Sequence, residues 1–141
     1  MRSVEDEAGD RYLLLKRSGD AWLVRDPGTG AERHLPAASL SVVGGESPLE
    51  TAARGVPDPV RRNLDVTSDR ALGLLSEVRR REPVAVRTLL ADYDLCESDL
   101  HGLLGEFRAA GWLAETTVAG ERGYETTAAL EDRWDASPAR D

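Results

Sequence analysis

Leu100, Leu103, Leu104 and Phe107 fall at the three- and four-residue spacing of a single helix face, and Gly111 follows where that helix must stop. The spacing predicts a helix from Glu97 to Ala110. Trp112 to Val118 then reads as a strand, Ala119-Gly120-Glu121-Arg122-Gly123 as a glycine-rich turn, and Tyr124 to Thr127 as a returning strand. A helix that runs straight into a hairpin needs further elements to cover its apolar stripe, and the preceding segment offers them.

Residues 67–82 carry Leu72, Leu75 and Val78 at helical spacing, with Leu74 widening the stripe. Ser68 stands where an N-cap is needed and Pro83 ends the run. Pro83-Val84-Ala85-Val86 is a short apolar strand, Arg87 to Tyr93 a short helix, and Asp94-Leu95-Cys96 a turn into the helix at Glu97. Ala128 to about Trp134 forms a terminal helix.

Upstream, residues 11–43 read as a small antiparallel β-meander. Tyr12-Leu15, Ala21-Val24, Glu32-Leu35 and Leu40-Val43 are its strands, separated by Ser18-Gly19-Asp20, by Asp26-Pro27-Gly28-Thr29-Gly30 and by the segment after Pro36. Ser47-Pro48-Leu49-Glu50 is a capping-box pattern that starts a helix running to about Arg54. Asp58-Pro59 repeats the start signal for a second short helix to Leu64. The expected fold class is α+β, with a β-meander over 1–45, a helical connector over 46–66, a helix-and-hairpin unit over 67–135, and a flexible tail over 136–141.

The order from residue 67 (helix, short strand, helix, tight turn, helix, strand, turn, strand) resembles the winged helix-turn-helix family. The resemblance covers roughly 60 residues. It rests on Leu89-Leu90-Ala91, on Leu95 to Leu100, on Leu104 and Phe107, and on Ala110-Gly111-Trp112-Leu113, with Gly123 to Thr127 as the second wing strand. Cys96 occupies the place where a capping serine often sits, and Ser98 is a candidate to share that role. The whole chain also resembles a group of small haloarchaeal proteins with this layout.

The resemblance implies double-stranded DNA as partner, transcription regulation as function, and the Glu97–Ala110 helix in the major groove. Ser98 and His101 are the candidates for base edges, and Arg87, Arg108 and Arg122 for phosphates, with Arg122 at the wing tip. The alternative is a winged helix used as a protein-interaction adaptor. The helix is a poor reading face: Gly102 and Gly105 present no side chain, and Glu97 faces a polyanion unfavourably, though its carboxylate can accept from a cytosine amine.

Charge bears on both readings. The chain holds 18 basic and 26 acidic residues, formally −8, and its only lysine is Lys16. An acidic balance ordinarily opposes nucleic acid. Acid-rich, lysine-poor composition is that of proteins from salt-in halophilic archaea, where the Debye length falls to roughly 3 Å at 1 M salt and repulsion is screened. An acidic protein from a GC-rich genome would share the arginine bias. Residues 66–141 carry nine arginines and fifteen carboxylates, so the half expected to meet DNA is the more acidic one.

Other signals exclude more than they suggest. A single cysteine, Cys96, rules out an internal disulfide and a cysteine-built zinc site, and leaves a structural cap, a small core residue or a redox sensor. His34 and His101 lie in different units, so no metal is expected. Phosphate-loop, nucleophile-elbow and zinc-protease motifs are missing, so an enzyme and a cofactor are not expected. The acidic start and the lack of an apolar run of roughly 18 residues point to a cytoplasmic protein away from the membrane. Arg79-Arg80-Arg81 reads either as a phosphate patch or as a solvated helix end suited to the helix dipole. Trp134 suggests a homodimer through the terminal helix, and the β unit a further protein partner.

Overall fold

The computed structural model describes residues 1–66 and 68–135; the flexible tail expected over 136–141 lies outside the described residues. The fold is α+β, with antiparallel sheets and six α-helices among the described residues.

The N-terminal part contains β1 (Arg2–Glu5), β2 (Arg11–Ser18), β3 (Ala21–Arg25), β4 (Glu32–Pro36) and β5 (Ser41–Val42), with a 3-10 turn at Ala37–Ser39. They form one sheet in the order β4-β3-β2-β1-β5. Two features depart from the expected meander. Strand β1 is added at the start, and β5 pairs with β1 (Val4 opposite Val42) instead of extending beyond β4. The segment after Pro36 therefore crosses from one edge of the sheet to the other, and Leu40 on that crossing is buried with Val4, Tyr12, Leu14 and Val24. The opposite face carries Ser3 and Arg25, which reach the helices.

The helices begin where cap chemistry puts them. Ser47 closes a full capping box with Glu50 at the start of α1 (Pro48–Arg54). Helix α2 (Asp58–Leu64) starts without a side-chain cap, unlike the expectation from Asp58-Pro59. Ser68 accepts from the amide of Ala71 and caps α3 (Asp69–Arg81). Gly73 lets α3 approach α1 closely, since a Cβ there would run into the carbonyl oxygen of Leu49.

Next come β6 (Val84–Ala85), α4 (Val86–Asp92), α5 (Glu97–Ala109), β7 (Leu113–Val118), β8 (Glu121–Thr126) and α6 (Ala128–Asp135). Strands β6, β8 and β7 form a second sheet in that order. Helix α5 ends in a Schellman motif: the amide of Gly111 donates to Arg108 and that of Trp112 to Phe107, with Gly111 left-handed at φ +82°. The Phe107 and Trp112 rings, 6.2 Å apart, supply the apolar contact that accompanies this motif.

One apolar cluster runs through all the helices after residue 46. Leu49, Val60 and Leu64 from α1 and α2 join Leu72, Leu75, Leu89, Leu100, Leu104, Tyr124 and Leu130. The 46–66 segment is thus part of the same core as the helix-and-hairpin unit. Helix α6 is docked inside the chain: Asn63 and Arg133 exchange side-chain-to-carbonyl bonds, and Trp134 is half-buried with Arg79 stacked 4.4 Å over its ring. No helix among the described residues is long and apolar enough to cross a membrane.

Candidate functional site

The exposed side of α5, the β7–β8 hairpin and the start of α4 form one surface, and it carries all five residues singled out from sequence. Residues Glu97, Ser98, Asp99, Gly102, Gly105, Glu106 and Arg108 point outward, because Leu100, Leu104 and Phe107 turn the opposite side of α5 into the core. The exposed glycines are not required by the fold. A Cβ built at Gly102 or Gly105 meets nothing within 4 Å, in contrast to Gly73. Each therefore weakens the helix by roughly 0.5–1 kcal/mol relative to alanine, and no packing inside the chain offsets this.

The cations on this surface are paired. Arg108 Nη1 lies 3.3 Å from one oxygen of Glu115, and Arg122 Nε lies 2.5 Å from the other. Arg122 also donates to the Tyr124 hydroxyl at 3.1 Å. Arg87, the most exposed of the set, meets Glu121 at 2.9 Å. His101 Nε2 stands 3.6 Å from Glu97, one helical turn back. Arg70, from the start of α3, reaches Asp99 at 4.0 Å and donates to the carbonyl of Asp94. Glu106 adds an exposed negative charge.

Three placements differ from the sequence expectation. The hairpin turn is tighter: Ala119 and Gly120, both at positive φ, make a two-residue reversal, so Arg122 lies within β8 opposite Thr117 and not at a tip. Cys96 sits at the N-cap of α5 but makes no capping bond and is exposed, so it is neither cap nor core residue. Ser98 does not take the role over: it is the second residue of the helix, and its hydroxyl meets the Cys96 sulfur at 3.4 Å.

Of the three arginines closing α3, two are paired with carboxylates and the exposed Arg80 is held by carbonyl oxygens alone. Arg79 pairs with Glu131 of α6 at 3.1 Å. Arg80 donates to the carbonyls of Pro27 and Gly28, and Arg81 pairs with Asp92 at 2.7 Å and donates to the Tyr93 hydroxyl at 3.0 Å.

Sequence reasoning also missed a buried polar network. Glu77 is sealed in the interior, where it receives Arg25 from β3 and the hydroxyl of Tyr93 from the turn before α5. Burial, together with the Glu77 charge and hydrogen bond, pushes the Tyr93 phenol above its ordinary range, and Arg81 opposes this. The visible signal was Glu77 itself, three residues after Leu74 and one before Val78, a carboxylate within the apolar stripe of α3. Among the described residues no group of three or more His, Cys, Asp or Glu side chains is arranged to hold a metal ion.

The chain belongs to a family described as a family of unknown function (DUF7346), whose model matches residues 1–135. No curated protein and no solved structure matches it.

Proposed function

We propose that α3, β6, α4, α5 and the β7–β8 hairpin are a winged helix-turn-helix, and that its exposed α5 face docks onto a protein partner as an adaptor. The sheet order β6-β8-β7 supports the architectural part, because it sets the hairpin beside the short strand that precedes α4, as a wing requires. The observation that carries the functional part is the pairing of Arg87, Arg108 and Arg122 with Glu121 and Glu115 of the same chain. A DNA-reading helix needs cations free to meet phosphates and side chains that reach base edges. This helix offers one arginine, Arg108, already paired with Glu115, and two glycines. A bare helix face edged by Glu97, Asp99 and Glu106 instead admits close backbone approach by a partner carrying basic groups at its rim.

Photocrosslinking tests the reading. A benzoylphenylalanine placed at Ser98 or Ala109, both exposed on α5, leaves Gly102 and Gly105 bare. In the cells the protein comes from, it should give one discrete protein adduct, missing when the label stands at Asp132 on α6. Equal adducts from all three positions, or none, would overturn the adaptor reading.

One observation favours the other reading. Arg108 and Arg122 grip opposite oxygens of one carboxylate, Glu115, and a DNA phosphate is chemically suited to take that carboxylate's place. On this reading the chain is a DNA-binding regulator, and fluorescence anisotropy with genomic fragments, from low salt to molar KCl, would show saturable binding. Self-association through α6 draws less support, since Trp134 is already engaged by Arg79 within the chain.

A further inference from the structure

Arg25, Arg80 and Arg81 line a single cavity of about 520 Å³ between the N-terminal sheet and the last turn of α3, together with Met1, Leu15, Gly30 and Glu32. That volume lies within the range of small-molecule sites. Three arginines line it against one acidic residue, Glu32.

Their charges are not equally balanced. Arg25 is spent on Glu77, and Arg81 on Asp92. Arg80 has no carboxylate within 4.0 Å among the described residues; its partners are the carbonyl oxygens of Pro27 at 2.9 Å and Gly28 at 3.1 Å. Carbonyls hold the side chain in place without neutralising it. Both bonds use Nη2, so the donors on Nη1 and Nε are left for another acceptor. Partial burial, and then repulsion from Arg25, lower the guanidinium of the otherwise exposed Arg80 from its ordinary range, with Glu77 and Asp26 opposing this.

We infer that this cavity binds a small organic anion, its phosphate or carboxylate group held by Arg80 with Arg81 and Arg25 alongside. Glu32 accepts a hydroxyl or amine from the body of the same molecule. The guanidinium fork matches both oxyanions, and the cavity is much larger than a bare phosphate fills, which calls for an organic body. The site stands independently of the docking reading of α5. It also touches the turn before α5 through residues already engaged, since Arg25 bonds to Glu77, and both Glu77 and Arg81 bond to Tyr93.

The test uses the full chain at constant ionic strength, with inorganic phosphate, 3-phosphoglycerate and succinate as probes. Thermal unfolding and the arginine Nε–Hε resonances are followed for each. A ligand that binds only the folded chain raises Tm with its concentration. One or both of the organic probes should raise Tm by several degrees at millimolar concentration and move the Arg80 resonance; which of them does so separates phosphate from carboxylate recognition. Arg80→Met should abolish the shift. Should that variant fail to fold, Arg80→Lys, which keeps the charge and loses the fork, should weaken binding by at least tenfold. No Tm rise with any probe in the unmodified chain overturns the inference. So does an equal rise in Arg80→Met, or unchanged affinity in Arg80→Lys.

Discussion

Glu77 and Tyr93 meet in the interior through a hydrogen bond from the phenol to the carboxylate, and the same carboxylate holds Arg25 from the N-terminal sheet. One buried side chain on α3 thus ties together the sheet, the central helix and the turn before α5. Burying a charge is tolerated only when its partners are in place, and removing one partner of such a pair costs about 3–5 kcal/mol. Arg25→Met should therefore destabilise the chain by that order, read as a lower midpoint of denaturant unfolding. The double variant Arg25→Met/Glu77→Leu should recover much of the loss, because no charge is then left unpaired. A double variant as unstable as the sum of the single variants would show that the pair is not coupled.

Tyr93 gives the network a pH signature. Its phenol is raised above the ordinary value of 10.0 in the folded chain, first by burial and then by Glu77. A group whose folded-state value is raised contributes stability that is fully present below the unfolded value and is lost as pH climbs above it. Stability should accordingly decline from about pH 10 upward more steeply than in Tyr93→Phe. Chemical unfolding between pH 8 and 11 measures this, and parallel slopes for the two proteins would remove Tyr93 as the cause.

How far these features could be read from the sequence follows from the range of the interactions behind them. Ser47-Pro48-Leu49-Glu50 and Ser68 specify helix starts within one turn, so α1 and α3 were legible to a residue or two. The stop of α5 at Gly111 is equally local. Strand β1 was not legible: its residues are Arg2, Ser3, Val4 and Glu5, and Ser3 is buried inside the sheet, where its hydroxyl meets Thr51, 48 residues away, at 2.5 Å. The pairing of β5 with β1 is non-local in the same sense. At the candidate site the residue types were visible, but their neutralisation was not. Glu115 reaches Arg108 and Arg122 only once the hairpin folds back beside α5.

The glycines of the helices divide by sign under one substitution. Gly102→Ala and Gly105→Ala should each stabilise the chain by about 0.5–1 kcal/mol, since the added methyl meets open space and raises helix propensity. Gly73→Ala should destabilise it, because the methyl collides with the Leu49 carbonyl where α1 and α3 cross. Thermal unfolding of the three variants reads both signs. The crosslinking adduct supplies the second readout: the two stabilising variants should diminish it by filling the face that a partner approaches. Adducts of undiminished yield in stabilised variants would mean that the glycines serve no interface.

Glu115→Gln decides between the two readings of the α5 face. The substitution keeps the shape of the side chain and frees Arg108 and Arg122 from a fixed negative charge. These side chains are about half exposed, so the lost ion pairs are worth little to stability and the variant should fold normally. If the face docks a protein, the unmodified chain shows no saturable DNA binding at any salt. The variant then gains at most weak, sequence-independent affinity at low salt, because a few phosphate contacts release few counterions, and added salt removes that small gain. If the face meets DNA, the unmodified chain already binds. Relieving Glu115 then tightens binding severalfold across all sequences and leaves base preference untouched, since phosphate contacts carry no sequence information. Anisotropy titrations of both proteins from 50 mM to molar KCl read the difference, and the adaptor reading fails on saturable binding by the unmodified chain.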